Sequence, residues 1–412
     1  MRTLCLFTNE FPYGSWEPYL ETEVQYYEGF DKVMVFSLQL RKEHASSARK
    51  LPSNFEVIPI YYAPRYVYLL NSFRVLFDNN LYAEIGRLKR SGRLGLHQII
   101  DLFVFLSRSD YEARKILQKV HIDKDKKYLF YSYRFEYQPY VADIIKRRKK
   151  LDCPIISRAH RYDLYEDRRK DKYIPMREYL LSAINYVFPC SLDGKNYLSS
   201  LYPKYSEKIE TRFLGTLDYG AKQIRRNDRF RIVSCSNVVK VKRLDCLVEA
   251  LKKITEYKIV WTHFGDGPEL ENIRKMSRSL PDNISVDFRG NVANKDLMEI
   301  YQNENFNLFV NVSESEGIPV SIMEAMSFGI PCLATNAGGT GEIIENNVSG
   351  VIIPVSSSPE QIENQIKRFI QMDDGTYYGL CNKARKKWLD KFNATENYKE
   401  FNTELLKLVD DQ

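Results

Sequence analysis

The sequence lacks an apolar run long enough to cross a membrane, and it has few residues that build metal or disulfide sites. The best candidate span, Leu94–Leu106, contains His97 and Asp101 and is shorter than the ~18 uncharged residues that a spanning helix needs. The five histidines and seven cysteines are scattered without a CxxC pair, which predicts reduced core thiols and no zinc site. The N-terminus lacks the long apolar region of a signal peptide, so we expect a cytoplasmic protein.

Length and charge indicate two different halves. A chain of 412 residues is suited to two domains. The net charge of +7 is uneven: residues 1–215 hold 36 Lys+Arg against 26 Asp+Glu, whereas residues 216–412 hold 25 against 28. No recognised nucleic-acid module accompanies the basic half, so nucleic acid is disfavoured as a partner. The asymmetry favours a division of labour between the halves.

Short apolar runs alternate with helical patterns, which predicts an α/β protein with parallel sheets. A basic helical region covers about 66–127, a polar linker covers about 215–229, and an amphipathic helical tail covers 377–409. The predicted strands are Thr3–Thr8, Lys32–Ser37, Tyr128–Ser132, Pro154–Arg158, Tyr186–Pro189 and Ile209–Phe213, then Phe230–Ser234, Lys258–Phe264, Ser285–Arg289, Leu308–Val312, Pro331–Thr335 and Val351–Pro354. Two such units are typical of Rossmann-like domains, which bind ligands beyond the carboxyl ends of their strands.

The segment 313–331 carries the clearest chemistry because it follows an apolar strand and opens a helix. Pro319 suits the first helical turn, where its missing N–H costs nothing. The backbone amides from Gly317 to Ser321 would then point outward and bind a phosphate or diphosphate. Glu316 and Glu324 flank this helix start, so each carboxylate is able to accept strong hydrogen bonds from sugar or ribose hydroxyls.

At these residues the sequence resembles retaining glycosyltransferases of family 4, also called glycosyltransferase group 1. Seven residues separate the two glutamates, in a Glu-Gly-x-Pro and Glu-Ala-Met setting. Further similar segments occur in the order that the family requires: Lys242–Asp245, Phe264–Glu269, Arg289–Val292, Thr335–Gly339 and Glu342–Ile344, with weaker matches at Phe11–Gly14 and Ser157–His160. The resemblance implies the GT-B fold, in which two Rossmann-like domains face each other across a cleft.

The resemblance also implies domains and roles. Residues 1–215 would form the acceptor domain, 216–385 the donor domain and 386–412 a helix crossing back to the first. His160, Glu316 and Lys242 would be catalytic, and Arg158 and Arg161 would bind the acceptor or serve as scaffold. The implied donor-binding residues are Gly14, Asn237, Lys242, Arg243, Gly265, Asp266, Gly290, Asn291, Glu316, Gly317, Ile318, Pro319, Val320 and Glu324. Many members of the family have Gly-Arg where this sequence has Ser236-Asn237. The second cation expected at the diphosphate is therefore missing here or is supplied by another residue.

The implied reaction is retaining transfer of a hexose-type sugar from a UDP or GDP sugar to a hydroxyl of a glycan or lipid-linked glycan, without a metal ion. Cell-surface polysaccharide synthesis is the expected pathway. The basic region 66–127 would either face an anionic membrane, placing the protein peripherally on the inner face of the plasma membrane, or be a solvated surface. Two alternatives remain: a GT-B nucleotide-sugar epimerase and a non-catalytic sugar-nucleotide-binding protein. An oxidoreductase is disfavoured because Gly265–Leu270 lacks the third glycine of a dinucleotide fingerprint.

Overall fold

Within the described residues, 1–169 and 171–412, a computed structural model contains twelve strands in two six-stranded sheets. The chain divides into unit 1, which comprises residues 1–212 and 398–412, and unit 2, which comprises residues 213–397. The unit 1 strands are β1 (Arg2–Thr8), β2 (Lys32–Leu40), β3 (Phe55–Tyr61), β4 (Lys127–Ser132), β5 (Ile155–Ala159) and β6 (Tyr186–Pro189). They pair in parallel in the order β3-β2-β1-β4-β5-β6, which is a Rossmann order.

Strand β1 shows why this sheet forms. Its residues Leu4, Cys5, Leu6 and Phe7 are fully buried, although their side chains alternate between the two faces of the sheet. Cys5 and Phe7 join one apolar core, and Leu4 and Leu6 join another on the opposite face. A parallel strand covered on both faces therefore appears in the sequence as a continuous apolar run.

Helices cover both faces of the unit 1 sheet. They are α1 (Leu20–Glu23), α2 (Arg65–Val75), α3 (Asn79–Arg90), α4 (Leu96–Lys119), α5 (Gln138–Lys149), α6 (Arg161–Leu164), α7 (Arg177–Ala183) and α8 (Leu192–Leu201). The helical region expected between 66 and 127 contains α2, α3 and α4. None of the helices in the described residues combines the length and apolar character needed to span a bilayer.

Two strand predictions in this unit are wrong. Strand β3 was missing from the predicted strands; it contains Pro59 and lies at the sheet edge, where a missing N–H is tolerated. The predicted strand 209–213 is reduced to an isolated bridge between Ile209 and Val187. The chain still follows β6 for a few residues, since the N–H of Glu210 donates to the carbonyl of Val187 at 3.0 Å.

Unit 2 repeats the same topology. Its strands are β7 (Phe230–Cys235), β8 (Ile259–Phe264), β9 (Ile284–Gly290), β10 (Leu308–Asn311), β11 (Cys332–Thr335) and β12 (Gly350–Ile353), in the parallel order β12-β11-β10-β7-β8-β9. Its helices are α9 (Leu244–Leu251), α10 (Leu270–Ser277), α11 (Asn294–Asn303), α12 (Val320–Ser327), α13 (Thr340–Ile343), α14 (Pro359–Gln371) and α15 (Asp374–Lys391). The prediction of two Rossmann-like sheets is confirmed.

The helical tail predicted as one element consists of two helices. Helix α15 ends at Lys391, and α16 (Ala394–Asp410) follows after a break. Asn393 lies at this break, forms a parallel bridge with Thr216, and accepts a hydrogen bond from the N–H of Thr395 at 3.0 Å. The second helix enters the unit 1 core through Phe401, Leu405 and Val409.

Candidate functional site

The unit 2 sheet changes direction between its central strands, β7 and β10. From β7 the chain builds outward through β8 and β9, then returns to β10 on the other side. Ligands bind at this kind of switch point in open α/β sheets, beyond the carboxyl ends of the strands. The loop after β7 carries Lys242, and the loop after β10 carries Glu316. A hydrogen bond from the N–H of Glu314 to the carbonyl of Val241, 2.8 Å long, joins the two loops.

Lys242 and Glu316 form an ion pair at this switch point. The Nζ of Lys242 lies 2.6 Å from the Oε1 of Glu316, and the Nδ2 of Asn311 donates to the same oxygen at 3.2 Å. Both charged side chains are mostly buried, which strengthens their interaction relative to one in water. An ammonium group has three N–H donors, and Glu316 uses one of them. Lys242 can therefore bind an anion while it still holds Glu316.

Helix α12 begins directly after this pair. Gly317 and Ile318 are half-buried in the loop, while Pro319 precedes the helix and buried Val320 is its first residue. The carbonyl of Gly317 accepts a hydrogen bond from the N–H of Gly339 at 2.7 Å. Gly338 has a φ of +52°, and a Cβ there would lie 2.2 Å from the carbonyl oxygen of Glu316. The glycine turn after β11 is therefore required for the close packing of this loop.

Glu324 lies one turn further along α12 and is buried. Its Oε1 accepts a hydrogen bond from the Nδ2 of Asn294 at 2.6 Å. Burial raises the pKa of Glu324 to about 7, although the bond from Asn294 opposes that shift. An ionised carboxylate in such a place requires more donors than one amide supplies. A vicinal diol would provide two hydroxyl donors.

The Gly265 turn packs against the loop after β7. Gly265 has a φ of +135°, and a Cβ there would lie 1.9 Å from the carbonyl oxygen of Ser236. Its N–H donates to the carbonyl of Gly290 at 2.8 Å, which brings the end of β9 to the same place. Asp266 is exposed, and its Oδ1 accepts the N–H of Gly267. The predicted residues Asn237 and Asn291 are exposed on the neighbouring loops.

The guanidinium of Arg243 is hydrogen-bonded to another loop of unit 2. Its guanidinium donates to the backbone carbonyls of Val355 and, at 2.9 Å, Ser357. Its own backbone is left-handed, with a φ of +51°, between the Lys242 turn and α9. These contacts fix the start of α9 against the loop after β12. Lys242 is the cation beside Glu316, and donor binding by Arg243 stays a prediction.

The unit 1 sheet has its own switch point, between β1 and β4. The loop after β1 contains Gly14, whose φ is +61° and whose N–H donates to the Oγ of Ser47 at 3.1 Å. The buried carboxylate of Glu17 organises the loop, because it accepts the N–H groups of Asn9 at 2.9 Å and Phe11 at 3.1 Å. Gly14 is thus held at the carboxyl edge of the sheet by a charged group that is itself buried.

His160 follows β5 at the same edge. Its side chain is 20% exposed, and its ring centroid lies 4.8 Å from that of Tyr133. Asp163 accepts the backbone N–H of His160 at 2.8 Å, and its other oxygen is 3.8 Å from the Nδ1 of the ring. Burial lowers the pKa of His160, but the sulfur of Cys190 and the carboxylate of Asp163 outweigh it and raise that pKa above its usual value. The nearby carboxylate of Asp163 thus favours the protonated imidazole.

Arg158 is placed where it cannot contact an acceptor. It is fully buried in β5, where its Nε lies 3.1 Å from the Oε2 of Glu23 and donates to the hydroxyl of Tyr131 at 2.9 Å. Its guanidinium carbon also lies 4.5 Å from the ring centroid of Phe401 on α16. The predicted acceptor role is wrong, because this side chain ties β5 to α1 and α16. Arg161 is half-buried at the first position of α6.

Several polar partners in these sites could not be predicted from the sequence. Asn311 and Asn294 hold the two glutamates, and Asp163 pairs with His160. His44 also had no supporting context, yet its Nδ1 lies 3.0 Å from the Oε2 of buried Glu10 beside the Gly14 loop. Of these partners, only Asn311 could have been suspected from the sequence, because it lies near the carboxyl end of a predicted strand, where ligands bind.

The chain is similar in sequence to known proteins. Residues 218–388 match the family model of the glycosyl transferases group 1. The chain is 28% identical over 176 residues to an N-acetyl-alpha-D-glucosaminyl L-malate synthase of Bacillus anthracis, covering 42% of this chain and 44% of that one. It is 25% identical over 168 residues to the putative colanic acid biosynthesis glycosyltransferase WcaL of Escherichia coli, covering 39% and 41%. The chain thus spans less than half the length of either relative.

Solved structures match over nearly the whole chain. The lipopolysaccharide outer core galactosyltransferase WaaB has a TM-score of 0.71 at 13% identity, with 99% of both chains covered. Anabaena Alr3699/HepE in complex with UDP and glucose has a TM-score of 0.65 at 16% identity, covering 97% of this chain and 98% of that one. At such identities the likeness shows the fold, and the predicted GT-B fold is confirmed. The chain therefore has the GT-B fold, and its residues 218–388 match the family model of the glycosyl transferases group 1.

Proposed function

We propose that this chain is a retaining glycosyltransferase of family 4 that uses a UDP or GDP sugar as donor. The observation that carries the proposal is the ion pair of Lys242 and Glu316 at the switch point of unit 2, next to the start of α12. Lys242 and the first amides of α12 would neutralise the diphosphate. Glu316 would accept hydrogen bonds from the donor sugar, and Glu324 would accept hydrogen bonds from both ribose hydroxyls.

We propose front-face transfer as the reaction. The acceptor hydroxyl oxygen forms a bond to the anomeric carbon as the bond from that carbon to the phosphate oxygen breaks. The hydroxyl proton passes to the leaving phosphate oxygen on the same face, so the configuration is retained. Lys242 and the first amides of α12 would stabilise the negative charge that develops on the leaving group. These groups belong to the protein itself, so we propose that no metal ion is needed. A catalytic role for His160 in unit 1 is part of the same proposal.

We also propose a hexose-type donor and a glycan or lipid-linked glycan acceptor, in cell-surface polysaccharide synthesis. The protein would work in the cytoplasm, peripherally on the inner face of the plasma membrane. The relatives support the pathway class, since one is named for colanic acid biosynthesis and a structural neighbour for the lipopolysaccharide outer core.

A panel of sugar nucleotides tests the proposal. We expect slow hydrolysis of one UDP or GDP sugar in the absence of acceptor, unaffected by a metal chelator. Glu316→Ala should abolish hydrolysis, whereas Glu314→Ala should not, because Glu314 is exposed and contributes only its backbone N–H to the loop. Absence of both hydrolysis and binding across the panel would refute the proposal.

A further inference from the structure

The basic region of unit 1 has less free charge than its composition indicates. Four of its arginines are paired with carboxylates: Arg87 with Glu84 at 2.7 Å, Arg93 with Glu166 at 3.2 Å, Arg108 with Glu112 at 3.0 Å and Arg114 with Asp110 at 3.0 Å. Positive charge alone therefore does not distinguish this surface. The more unusual feature of the region is an exposed apolar face.

Helix α2 and the residue pair after it present this face. Tyr66, Leu70, Phe73 and Phe77 are between 63% and 77% exposed. Their spacing of four, three and four residues places them along one side of a helix. The rings of Phe73 and Phe77 also contact each other, with centroids 5.7 Å apart. We name these four residues the α2 stripe.

The other side of α2 is anchored to the protein. Tyr68, Asn71 and Val75 are buried. The Nδ2 of Asn71 donates to the carbonyl of Ser107 on α4 at 2.7 Å. A surface helix of a globular protein normally turns its apolar side to the core. Here the buried side of α2 carries Asn71. A rotation of the helix that buried the stripe would break the hydrogen bond from Asn71 to Ser107.

A cavity of about 560 Å³ adjoins the stripe. Phe77 lines it together with three arginines, Arg74, Arg147 and Arg148. Arg147 pairs with Asp143 at 2.9 Å and Arg148 pairs with Asp110, but both guanidinium groups remain more than 40% exposed. Arg74 is exposed and has no carboxylate partner in the part of the chain that the structure describes. Two carboxylates, Asp78 and Asp110, also line the cavity, so the arginines exceed the carboxylates by one and leave a net positive charge beside the apolar stripe.

We propose that the α2 stripe docks on an anionic lipid bilayer. The four apolar side chains enter the interface between headgroups and acyl chains, and Arg74, with the two arginines of α5, binds headgroup phosphates. Aromatic and leucine side chains beside cations are the composition that such interfaces favour. The net positive charge of residues 1–215 adds long-range attraction to the same partner. This inference rests on the proposed function, since it supplies the surface that brings the enzyme to a lipid-linked acceptor.

Sedimentation with vesicles tests the docking surface. The full chain is mixed with vesicles of phosphatidylcholine alone or of an equal mixture with phosphatidylglycerol. We expect binding to the mixed vesicles only, and a drop of about tenfold or more in the partition coefficient for the double variant Leu70→Ser and Phe73→Ser. The matched control is Leu201→Ser, which removes an exposed leucine from α8. It should bind like the wild type.

A charge reversal separates the arginine contribution. Arg74→Glu should weaken binding to the mixed vesicles, whereas Lys275→Glu, with the same change of charge on exposed α10, should not. Equal binding by the stripe variant and the wild type would overturn the proposal. So would a dimer, detected by light scattering, that the stripe variant dissociates, because a second copy would then cover the stripe.

Sugar-nucleotide binding by the same variants keeps the two proposals distinguishable. All variants should retain nucleotide affinity, because none of the substituted residues lies in the candidate donor site. If the wild type binds the sugar nucleotide but does not bind vesicles, only the docking surface is refuted. Vesicle binding without any nucleotide binding would refute only the proposed function.

Discussion

Substitution of Glu324 by glutamine should weaken nucleotide binding and stabilise the free protein at the same time. The carboxyl group is buried against one amide donor, and burial raises its pKa from the usual 4.5 to about 7. A displacement of this size corresponds to a free-energy cost of the order of 3 kcal/mol for ionising the group in the folded state. In the unfolded chain the carboxyl group is in contact with water, so its ionisation carries no such free-energy cost.

The sign of the pH dependence follows from this pKa. Below about pH 4.5 the group is protonated in both states, so it does not change the stability. As the pH rises, the unfolded state ionises first, and stability is lost until the folded pKa is passed. Glu324→Gln removes this loss. The variant should therefore be more stable than the wild type at about pH 8, by at most ~3 kcal/mol, and nearly equal at about pH 4.

Nucleotide binding should show the opposite trend. The ionised carboxylate accepts hydrogen bonds from both ribose hydroxyls, so wild-type affinity should rise by up to about tenfold per pH unit as the pH approaches the pKa of Glu324. The glutamine variant should bind more weakly at about pH 8 and lose this dependence. Thermal unfolding and titration calorimetry measure the two effects. A wild-type affinity that is independent of pH, or a variant that is less stable at high pH, would refute the reasoning.

Three further substitutions test separate parts of the structure. Lys242→Ala should lower kcat by about 10²–10³-fold because it removes the cation at the leaving group, whereas Lys240→Ala should not, and steady-state kinetics compares them. Arg158→Leu should cost ~3–5 kcal/mol in chemical denaturation, because it leaves a buried carboxylate unpaired; wild-type stability would contradict the assignment. Gly338→Ala should abolish hydrolysis, since its Cβ would lie 2.2 Å from a carbonyl oxygen of the loop after β10, whereas Gly379→Ala has open space and should retain activity.

Most of the fold could be predicted from the sequence because buried parallel strands appear as apolar runs. The exceptions have physical reasons. Pro59 argues against a strand in general, but not against an edge strand such as β3. The predicted strand 209–213 has polar residues between Ile209 and Phe213, and it forms only one bridge with β6 before the chain continues into unit 2. Neither the edge position of β3 nor the single bridge can be read from local composition.

The candidate site shows a similar division. The ion pair of Lys242 and Glu316 joins residues 74 positions apart, and the sequence suggested both through their motifs. Arg158 was considered for acceptor binding because it lies near His160, but it is the penultimate residue of β5 and is buried in the covered sheet. Asn294, which holds Glu324, comes from another helix and has no local pattern. Such partners are determined by tertiary packing, and one sequence does not encode them locally.

A structure of the full chain with a bound nucleotide sugar tests the central claim most directly. The account predicts the diphosphate within hydrogen-bonding distance of the Nζ of Lys242 and of the first amides of α12, with the ribose diol on the carboxylate of Glu324. Structures of the variants Lys242→Ala and Glu324→Gln, obtained at the same concentration of sugar nucleotide, should show no nucleotide at that place. A nucleotide bound elsewhere, with Lys242 still paired only to Glu316 and Glu324 only to Asn294, would contradict the account.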